Sequence, residues 1–442
     1  MRPAEAYTYR MDKLRFGTDG IRGVYGEEIT DETAFRLGAA LGASGRVLLA
    51  RDNRISSPRL AAAFLGGVSS AGGECTYLGL STTPALYYAS TRVNAPFAVM
   101  ITASHNPPTH NGLKVFGQDG KLDENEREHL TEKMRGANVG VVRYETRQED
   151  PALLDLYRAF VSRAVGDLTG VRAVIDYAGG AGYAFRDLFS SLGADVTPMH
   201  LRETGEFVNV GCGALLPEVV RAETLRRGAD VGFALDGDGD RIIAVSRDGD
   251  ILDGDALLYI LARIRLRENA LPKRKIALTV MTNSGVLRSL SEVGVDVALC
   301  NVGDAAVTAA MRREGLVLGG EQSGHIVLGD LMMTGDGLLV GGMLMRAVKK
   351  GQAIVKPSEL TVYPQAMRNV PVRDKRVANA ESVRALALRV KDEIEGGRVL
   401  VRASGTENVV RVMVECPRAD VAERAAEKIE AEIVRAEQTM LP

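Results

Sequence analysis

The sequence predicts an α/β protein with three related α/β domains, built on mixed or parallel sheets, and a smaller C-terminal α+β domain. Three observations carry this. The chain has 442 residues, more than one ordinary domain accommodates. A unit of apolar run, small-residue loop, amphipathic stretch closed by glycine and second apolar run recurs three times. Beyond residue 360 the pattern changes to strand-like runs mixed with two helical stretches.

The first unit begins with residues 46–52, RVLLARD, followed by a Pro/Ser turn and a helix-like stretch to Gly72-Gly73. The second begins with residues 172–182, RAVIDYAGGAG, with a helical stretch to Leu192 and a strand from Asp195. The third begins with residues 275–285, KIALTVMTNSG, with a helical stretch to Val293 and a strand from Asp296. Strands alternating with helices call for parallel pairing and right-handed crossovers. Repetition at about a hundred residues predicts related domains. In the last part, residues 360–364, 369–372, 398–401 and 409–415 read as strands, and residues 380–394 and 418–438 as helices. The expected domains are 1–150, 151–252, 253–360 and 361–442.

Composition excludes several classes. Hydrophobic content of 45% and charged content of 25% are those of a soluble globular chain. A formal net charge of -2 gives no general attraction to nucleic acid. Cys75, Cys212, Cys300 and Cys416 lie far apart, without the pairing of a disulfide framework or zinc finger, so a reducing cytoplasm is expected. The N-terminus lacks the apolar core of a secretory signal, and no apolar run is long enough to span a membrane. Translation from Met1 or from Met11 fits equally well.

Four motifs carry chemistry. Thr102-Ala103-Ser104-His105-Asn106-Pro107 follows the apolar run 97–101, at the C-terminal end of a strand, where open α/β sheets bind ligands. Ser, Asn and Pro suit an ordinary turn as well as a nucleophile. A Ser-His-Asp hydrolase is disfavoured, because no Gly-x-Ser-x-Gly elbow is present and an adjacent His is poorly placed as base. Asp236-Gly237-Asp238-Gly239-Asp240-Arg241 puts three carboxylates at alternate positions. Their mutual repulsion calls for a hard divalent cation. An EF-hand fails, since its sixth and twelfth positions would be Arg241 and Arg247.

Gly319-Gly320-Glu321-Gln322-Ser323-Gly324-His325 surrounds Glu, Ser and His with small residues that admit a polar ligand such as a sugar. His325 has the chemistry of a general acid or base near neutral pH; a helix cap with a solvated Glu is the bland alternative. Arg402-Ala403-Ser404-Gly405-Thr406-Glu407-Asn408, with Arg411 downstream, combines two Arg, two hydroxyls and a glycine turn into an anion cradle or a plain hairpin. Phe16-Gly17-Thr18-Asp19-Gly20-Ile21-Arg22-Gly23 adds a further Gly- and Arg-bearing segment. No Walker A or dinucleotide fingerprint occurs.

In this order, from Phe16 to Glu415, these segments resemble the α-D-phosphohexomutase family. The resemblance implies four domains around a central cleft, each contributing one loop. It implies that Ser104 carries the phosphoryl group, and that one Mg²⁺ per active site is held by Asp236, Asp238, Asp240 and the phosphoserine. Arg22, Lys114 and His325 match polar and acid/base groups near the reacting phosphate. His105, Arg241, Glu321 and Ser323 fall at substrate-binding positions, and Arg402, Ser404, Gly405, Thr406 and Arg411 match the phosphate-binding loop. The wording of residues 16–23, DGDGDR, GGEQSGHIVL and Met333-Thr334-Gly335-Asp336-Gly337 looks most like the family's glucosamine-phosphate branch. Glucose- and mannose-phosphate members usually carry Met where Gln322 stands.

The implied reaction interconverts hexose 6-phosphate and hexose 1-phosphate, here glucosamine phosphate, through a phosphoserine and a hexose 1,6-bisphosphate that also primes the enzyme. The implied partner is a small phosphosugar, with no nucleic acid or membrane, and the protein is a monomer or homodimer. Ala403, Asn408, Ala305-Ala306 and Ala214-Leu215-Leu216 depart from the family wording. The alternatives are a glucose- or mannose-phosphate mutase, a phosphosugar phosphatase, or a non-catalytic sugar-phosphate-binding homologue.

Overall fold

A computed structural model describes residues 16–17, 20–118, 120–137, 139, 141–352, 354, 358–404 and 408–440. The chain divides into two compact units, residues 1–280 with 298–356, and residues 281–297 with 357–442.

The first unit contains the first two repeats and most of the third, whose residues 281–297 fall in the second unit. Its first sheet comprises β1 (Ile21–Val24), β2 (Arg46–Arg51), β3 (Glu74–Leu80), β4 (Phe97–Ile101), β5 (His110–Gly117) and β6 (Gly120–Lys121), in the order β1-β5-β4-β2-β3 with β6 paired to β5. The second comprises β7 (Arg172–Asp176), β8 (Asp195–Met199), β9 (Val231–Leu235), β10 (Ile242–Ser246) and β11 (Ile251–Leu252), in the order β11-β10-β9-β7-β8. The third comprises β12 (Lys275–Thr279), β13 (Asp296–Cys300), β14 (Leu318–Gly320) and β15 (Ile326–Leu328), in the order β13-β12-β14-β15.

One topology is used three times. The leading strand of each repeat (β2, β7, β12) lies between the second and third strands, and the third (β4, β9, β14) pairs with an antiparallel fourth (β5, β10, β15). The leading and third strands are parallel in every case. Strand β9, VGFAL, is buried at all five positions and β4, FAVMI, at four of its five. Central parallel strands covered on both faces need such unbroken apolar runs.

The crossover of the second repeat differs from the sequence expectation. In place of an α-helix the chain forms two 3₁₀ turns, Ala181–Phe185 and Ser190–Leu192. The Ser190 and Ser191 hydroxyls bond the carbonyls of Asp187 and Leu188, three residues back. Backbone bonds such as Leu188 N to Phe185 O keep the same tight spacing. Small hydroxylated side chains compete with the α-helical ladder in this way, while Phe185 and Phe189 are drawn into the core.

The second unit is α+β. Strands β16 (Gln365–Pro371), β17 (Arg398–Ala403) and β18 (Val409–Glu415) form an antiparallel sheet in the order β16-β18-β17. Helices Glu381–Glu393 and Ala419–Met440 share its Val-, Ile- and Ala-rich core. Residues 360–364, expected as a strand, join no ladder. Tyr363 N donates instead to the Asn283 side chain at 2.9 Å. Among the described residues no helix is long and apolar enough to cross a membrane.

Candidate active site

In all three repeats the polar loop falls at the same place, between the third strand and its antiparallel partner. Ser104 lies between β4 and β5, the three aspartates between β9 and β10, and residues 321–325 between β14 and β15. Threefold use of one topology therefore brings three different chemistries to equivalent strand ends.

Ser104 adopts φ 50, in the left-handed region that non-glycine residues seldom occupy. Its N–H donates to Thr102 Oγ1 at 2.9 Å, and its carbonyl accepts from Arg54 Nη2 and Asn209 Nδ2, each at 2.8 Å. The turn is over-determined, which is how strained residues persist at functional sites. Its hydroxyl donates to Asp236 Oδ2 at 2.6 Å. Gly237 is required here, because a Cβ at that position would lie 2.6 Å from the Ser104 carbonyl oxygen.

Asp236, Asp238 and Asp240 are buried, and one oxygen from each lies within 4.8 Å of the others. Asp238 Oδ1 and Asp240 Oδ1 are buried without a hydrogen-bond partner. Burial, then the charges of Asp238 and Asp240, push the Asp236 carboxyl up to about 8. Orphaned buried oxygens and a carboxyl forced to hold its proton fit a site for a hard divalent cation. Lys114 projects from β5 and places Nζ 2.6 Å from Asp238 Oδ2 and 2.9 Å from Asp240 Oδ2. This ammonium, itself 2% exposed, supplies the local positive charge.

His325 is buried behind this cluster. Its Nε2 accepts from Gly335 N at 3.2 Å, which assigns the ring proton to Nδ1, 3.9 Å from Asp240 Oδ2. Burial pulls the imidazole pKa down, but Asp240, with Asp304 and Glu321, outweighs it and leaves it raised. His105 goes the other way. Burial first, then the charges of Arg241 and Arg22, lower it to about 4, so it is neutral at physiological pH. Its Nδ1 lies 3.4 Å from the Ser104 hydroxyl.

Arg241 feels Asp240, Asp236 and Glu321, and these hold its charge firmly against the cost of burial. Glu321 Oε1 accepts from Gly303 N at 2.9 Å, and Ser323 is exposed on the same turn. Gly324, at φ +91, gives its carbonyl to Ile242 N, and a Cβ there would lie 2.2 Å from Ile242 O. Only glycine lets the third loop sit so close to the exit from the aspartate loop. Ala305 and Ala306 open the helix Asp304–Glu314 directly after Gly303, so these departures adjoin the Glu321 contact.

The C-terminal motif lies in the second unit. Arg402 on β17 and Arg411 on β18 are direct cross-strand partners. Two like charges in that register repel unless other groups balance them. Ser404 N closes the hairpin on Val409 O at 2.9 Å, and Lys375 Nζ donates to Ser404 O at 3.0 Å. Gly405 and Thr406 lie outside the described residues.

Sequence reading missed the residues that hold these loops. Arg54 is fully buried and clamps the Ser104 loop, donating to the carbonyls of Ser104, Asn106, Pro107 and His110. Asp52 orients it by accepting from Arg54 Nε at 2.9 Å. Thr83 donates from both its N–H and its hydroxyl to Asp238. Gly337 N bonds Gly239 O at 3.0 Å, tying residues 335–337 to the aspartate loop. Asp52 and Arg54 did leave a signal: an ion-pair-capable couple immediately after an apolar strand, at its C-terminal end.

Family models match residues 13–138 (phosphoglucomutase/phosphomannomutase, alpha/beta/alpha domain I), 253–365 (alpha/beta/alpha domain III) and 367–432 (C-terminal domain). A phosphoglucosamine mutase from Bacillus licheniformis is 40% identical, over 96% of this chain and 98% of its own. A phosphoglucomutase/phosphomannomutase family protein from Burkholderia thailandensis superposes with TM-score 0.77 and 26% identity, over 97% of both chains. An Aspergillus fumigatus N-acetylphosphoglucosamine mutase, solved with GlcNAc-6P and magnesium, shares the fold at TM-score 0.66 and 16% identity, over 96% of each chain.

Proposed function

The chain belongs to the α-D-phosphohexomutase (phosphoglucomutase/phosphomannomutase) family, and on that footing we propose that it converts glucosamine 6-phosphate to glucosamine 1-phosphate through a phosphorylated Ser104. The observation that carries this reading is the Ser104 hydroxyl, held 2.6 Å from a buried three-carboxylate cluster by a loop clamped at its carbonyls.

Phosphoryl transfer depends on positioning and charge neutralisation more than on covalent help. The phosphoserine would give its phosphoryl group to the free hydroxyl of a hexose monophosphate. The P–Oγ bond of Ser104 breaks, a P–O bond to the sugar forms, and the hydroxyl proton leaves. The resulting hexose 1,6-bisphosphate reverses end for end and returns the other phosphoryl to Ser104. Mg²⁺, held by Asp236, Asp238 and Asp240 with the phosphoserine, would neutralise charge on the phosphoryl oxygens.

Lys114 and His325 are the groups assigned to the proton. Lys114 stands among the carboxylates facing Ser104, while His325 reaches the site through Asp240. Neutral His105 would donate a hydrogen bond rather than act as base. Arg22 and Arg241 would flank the reacting phosphate, Glu321 and Ser323 would bind sugar hydroxyls, and Arg402, Ser404, Gly405, Thr406 and Arg411 would hold the phosphate that is not reacting. The four-part division at about residues 150, 252 and 360 is proposed on the same footing. The free thiols of Cys75, Cys212, Cys300 and Cys416 support a cytoplasmic setting for a monomer or homodimer.

Glucose or mannose phosphate is the second reading, favoured by the alanines at 305 and 306 beside the Glu321 contact. The test is one assay with glucosamine-, glucose- and mannose-6-phosphate, each with Mg²⁺ and a bisphosphate primer, following the 1-phosphate and inorganic phosphate. Preferential glucosamine 1-phosphate without phosphate release supports the proposal. Net phosphate release would replace it with a phosphatase, and no turnover of any sugar with a non-catalytic homologue.

A further inference from the structure

A second group of potential ligands lies apart from the aspartate cluster. Asp176 ends β7, His200 directly follows β8, and Cys212 belongs to the loop before the helix Pro217–Arg227. One donor atom from each lies within 4.8 Å of the others. Asp176 and Cys212 are buried, and His200 is partly open to solvent, with its side chain 25% exposed. His200 Nδ1 stands 3.0 Å from Asp176 Oδ1.

The surrounding backbone fixes these side chains. Asp176 Oδ1 accepts from Ala178 N at 2.8 Å and Oδ2 from Gly213 N at 2.9 Å, so the carboxylate is held from both sides. Gly179 N bonds His200 O and Asn209 N bonds Ala178 O, each at 2.9 Å, which locks the three loops together. Oδ2 retains a lone pair beyond the one Gly213 uses.

We propose that Asp176, His200 and Cys212 form a binding site for a thiophilic divalent cation of the zinc class. One sulfur, one imidazole nitrogen and one carboxylate oxygen are the ligand types such ions select, and three protein ligands leave a fourth position for water. Mg²⁺, which takes oxygen ligands, does not suit the set. Coordination exchanges the His200–Asp176 hydrogen bond for bonds to the ion: the neutral imidazole carries its proton on the nitrogen that does not ligate, and the Cys212 thiol proton passes to solvent. Second-sphere bonds to a ligating carboxylate, as Ala178 and Gly213 provide, are what orient such a ligand.

The site is coupled to the reaction centre. Asn209, three residues before Cys212, donates from Nδ2 to the carbonyls of Ser104 at 2.8 Å and Asn106 at 3.1 Å. An ion at Cys212 would tether the segment that braces the Ser104 loop.

Co²⁺ titration of the full chain in excess Mg²⁺ tests this, because a thiolate–cobalt charge-transfer band reports a cysteine ligand and the aspartate cluster yields none. The expected result is a band saturating at one Co²⁺ per chain, bleached by Zn²⁺ and absent from Cys212→Ser. His200→Gly, which suits the positive φ at that position, should keep the fold and weaken Co²⁺ binding at least tenfold. Absence of a thiolate band in the parent protein, a band that survives Cys212→Ser, or unchanged affinity in His200→Gly would overturn the assignment.

Discussion

Arg54 reaches Ser104 through the backbone: its Nη2 donates to the carbonyl oxygen of Ser104 at 2.8 Å, and the same guanidinium holds the carbonyls of Asn106, Pro107 and His110. The side chain is fully buried and ion-paired to Asp52. Buried and bonded to the loop's carbonyls, it fixes where Ser104 Oγ points. Lysine keeps the charge but cannot span four carbonyls. Arg54→Lys is expected to lower kcat about a hundredfold with little change in KM, because a displacement of ~1 Å at the reacting atom is enough for that loss. Steady-state kinetics check it, with circular dichroism to verify the fold.

The raised carboxyl of Asp236 makes a pH prediction. Its folded value, about 8, lies above its ordinary 3.8, so the folded state holds the proton more tightly than the unfolded. That contribution to stability is complete below pH ~4 and is lost as pH rises through about 8. The metal-free protein should thus lose thermal stability across this window. Mg²⁺, which needs the carboxylate ionised, should raise Tm more at pH 8 than at pH 6. In Asp236→Asn both trends should flatten, as read by thermal melts with and without Mg²⁺.

Lys114 places its ammonium within 3 Å of both Asp238 and Asp240. Lys114→Met would remove the ammonium that two buried carboxylates share, a change that costs about 3–5 kcal/mol when one partner of a buried ion pair is removed. The metal-free variant should melt well below the parent, and Mg²⁺ should recover much of the difference. Turnover should stay low even with Mg²⁺ bound, since the proposed proton handler is gone.

Arg402 and Arg411 face one another across β17 and β18. If the pair holds the non-reacting phosphate as proposed, removing either guanidinium should weaken phosphosugar binding. Arg411→Ala is therefore expected to raise KM about tenfold or more, as lost charge-assisted phosphate contacts do, with kcat much less affected. Steady-state kinetics check both halves. If both side chains serve one anion, the double variant should lose less than the sum.

The residues proposed to meet a ligand were legible in the sequence, and most of those that brace the backbone were not. Ser104, the three aspartates and the 319–325 segment stand out because polar groups and glycines crowd immediately after apolar strands. The threefold repeat was visible for the same reason, in its leading and second strands. Arg54, Thr83 and Asn209 act on carbonyls or carboxylates 50 to 155 positions away; the Asp52/Arg54 couple after β2 hints at a clamp, but no local pattern names its targets. The 181–192 crossover misled because its apolar spacing suits a helix, while its serines and aromatic packing enforce 3₁₀ turns. His325 was legible as a titrating group, but not the Gly335 bond that commits its second nitrogen.

The central claim is that Ser104 carries the phosphoryl group between sugar positions. Its most direct test is a single-turnover experiment. The protein is phosphorylated with hexose 1,6-bisphosphate, the phosphate is mapped by peptide mass spectrometry, and glucosamine 6-phosphate is then added with Mg²⁺. The expected result is one phosphate on Ser104, lost in step with formation of the bisphosphate, and no labelling of Ser104→Ala despite an unchanged melt. Phosphate on another residue, release to water in place of transfer, or normal turnover by Ser104→Ala would contradict it.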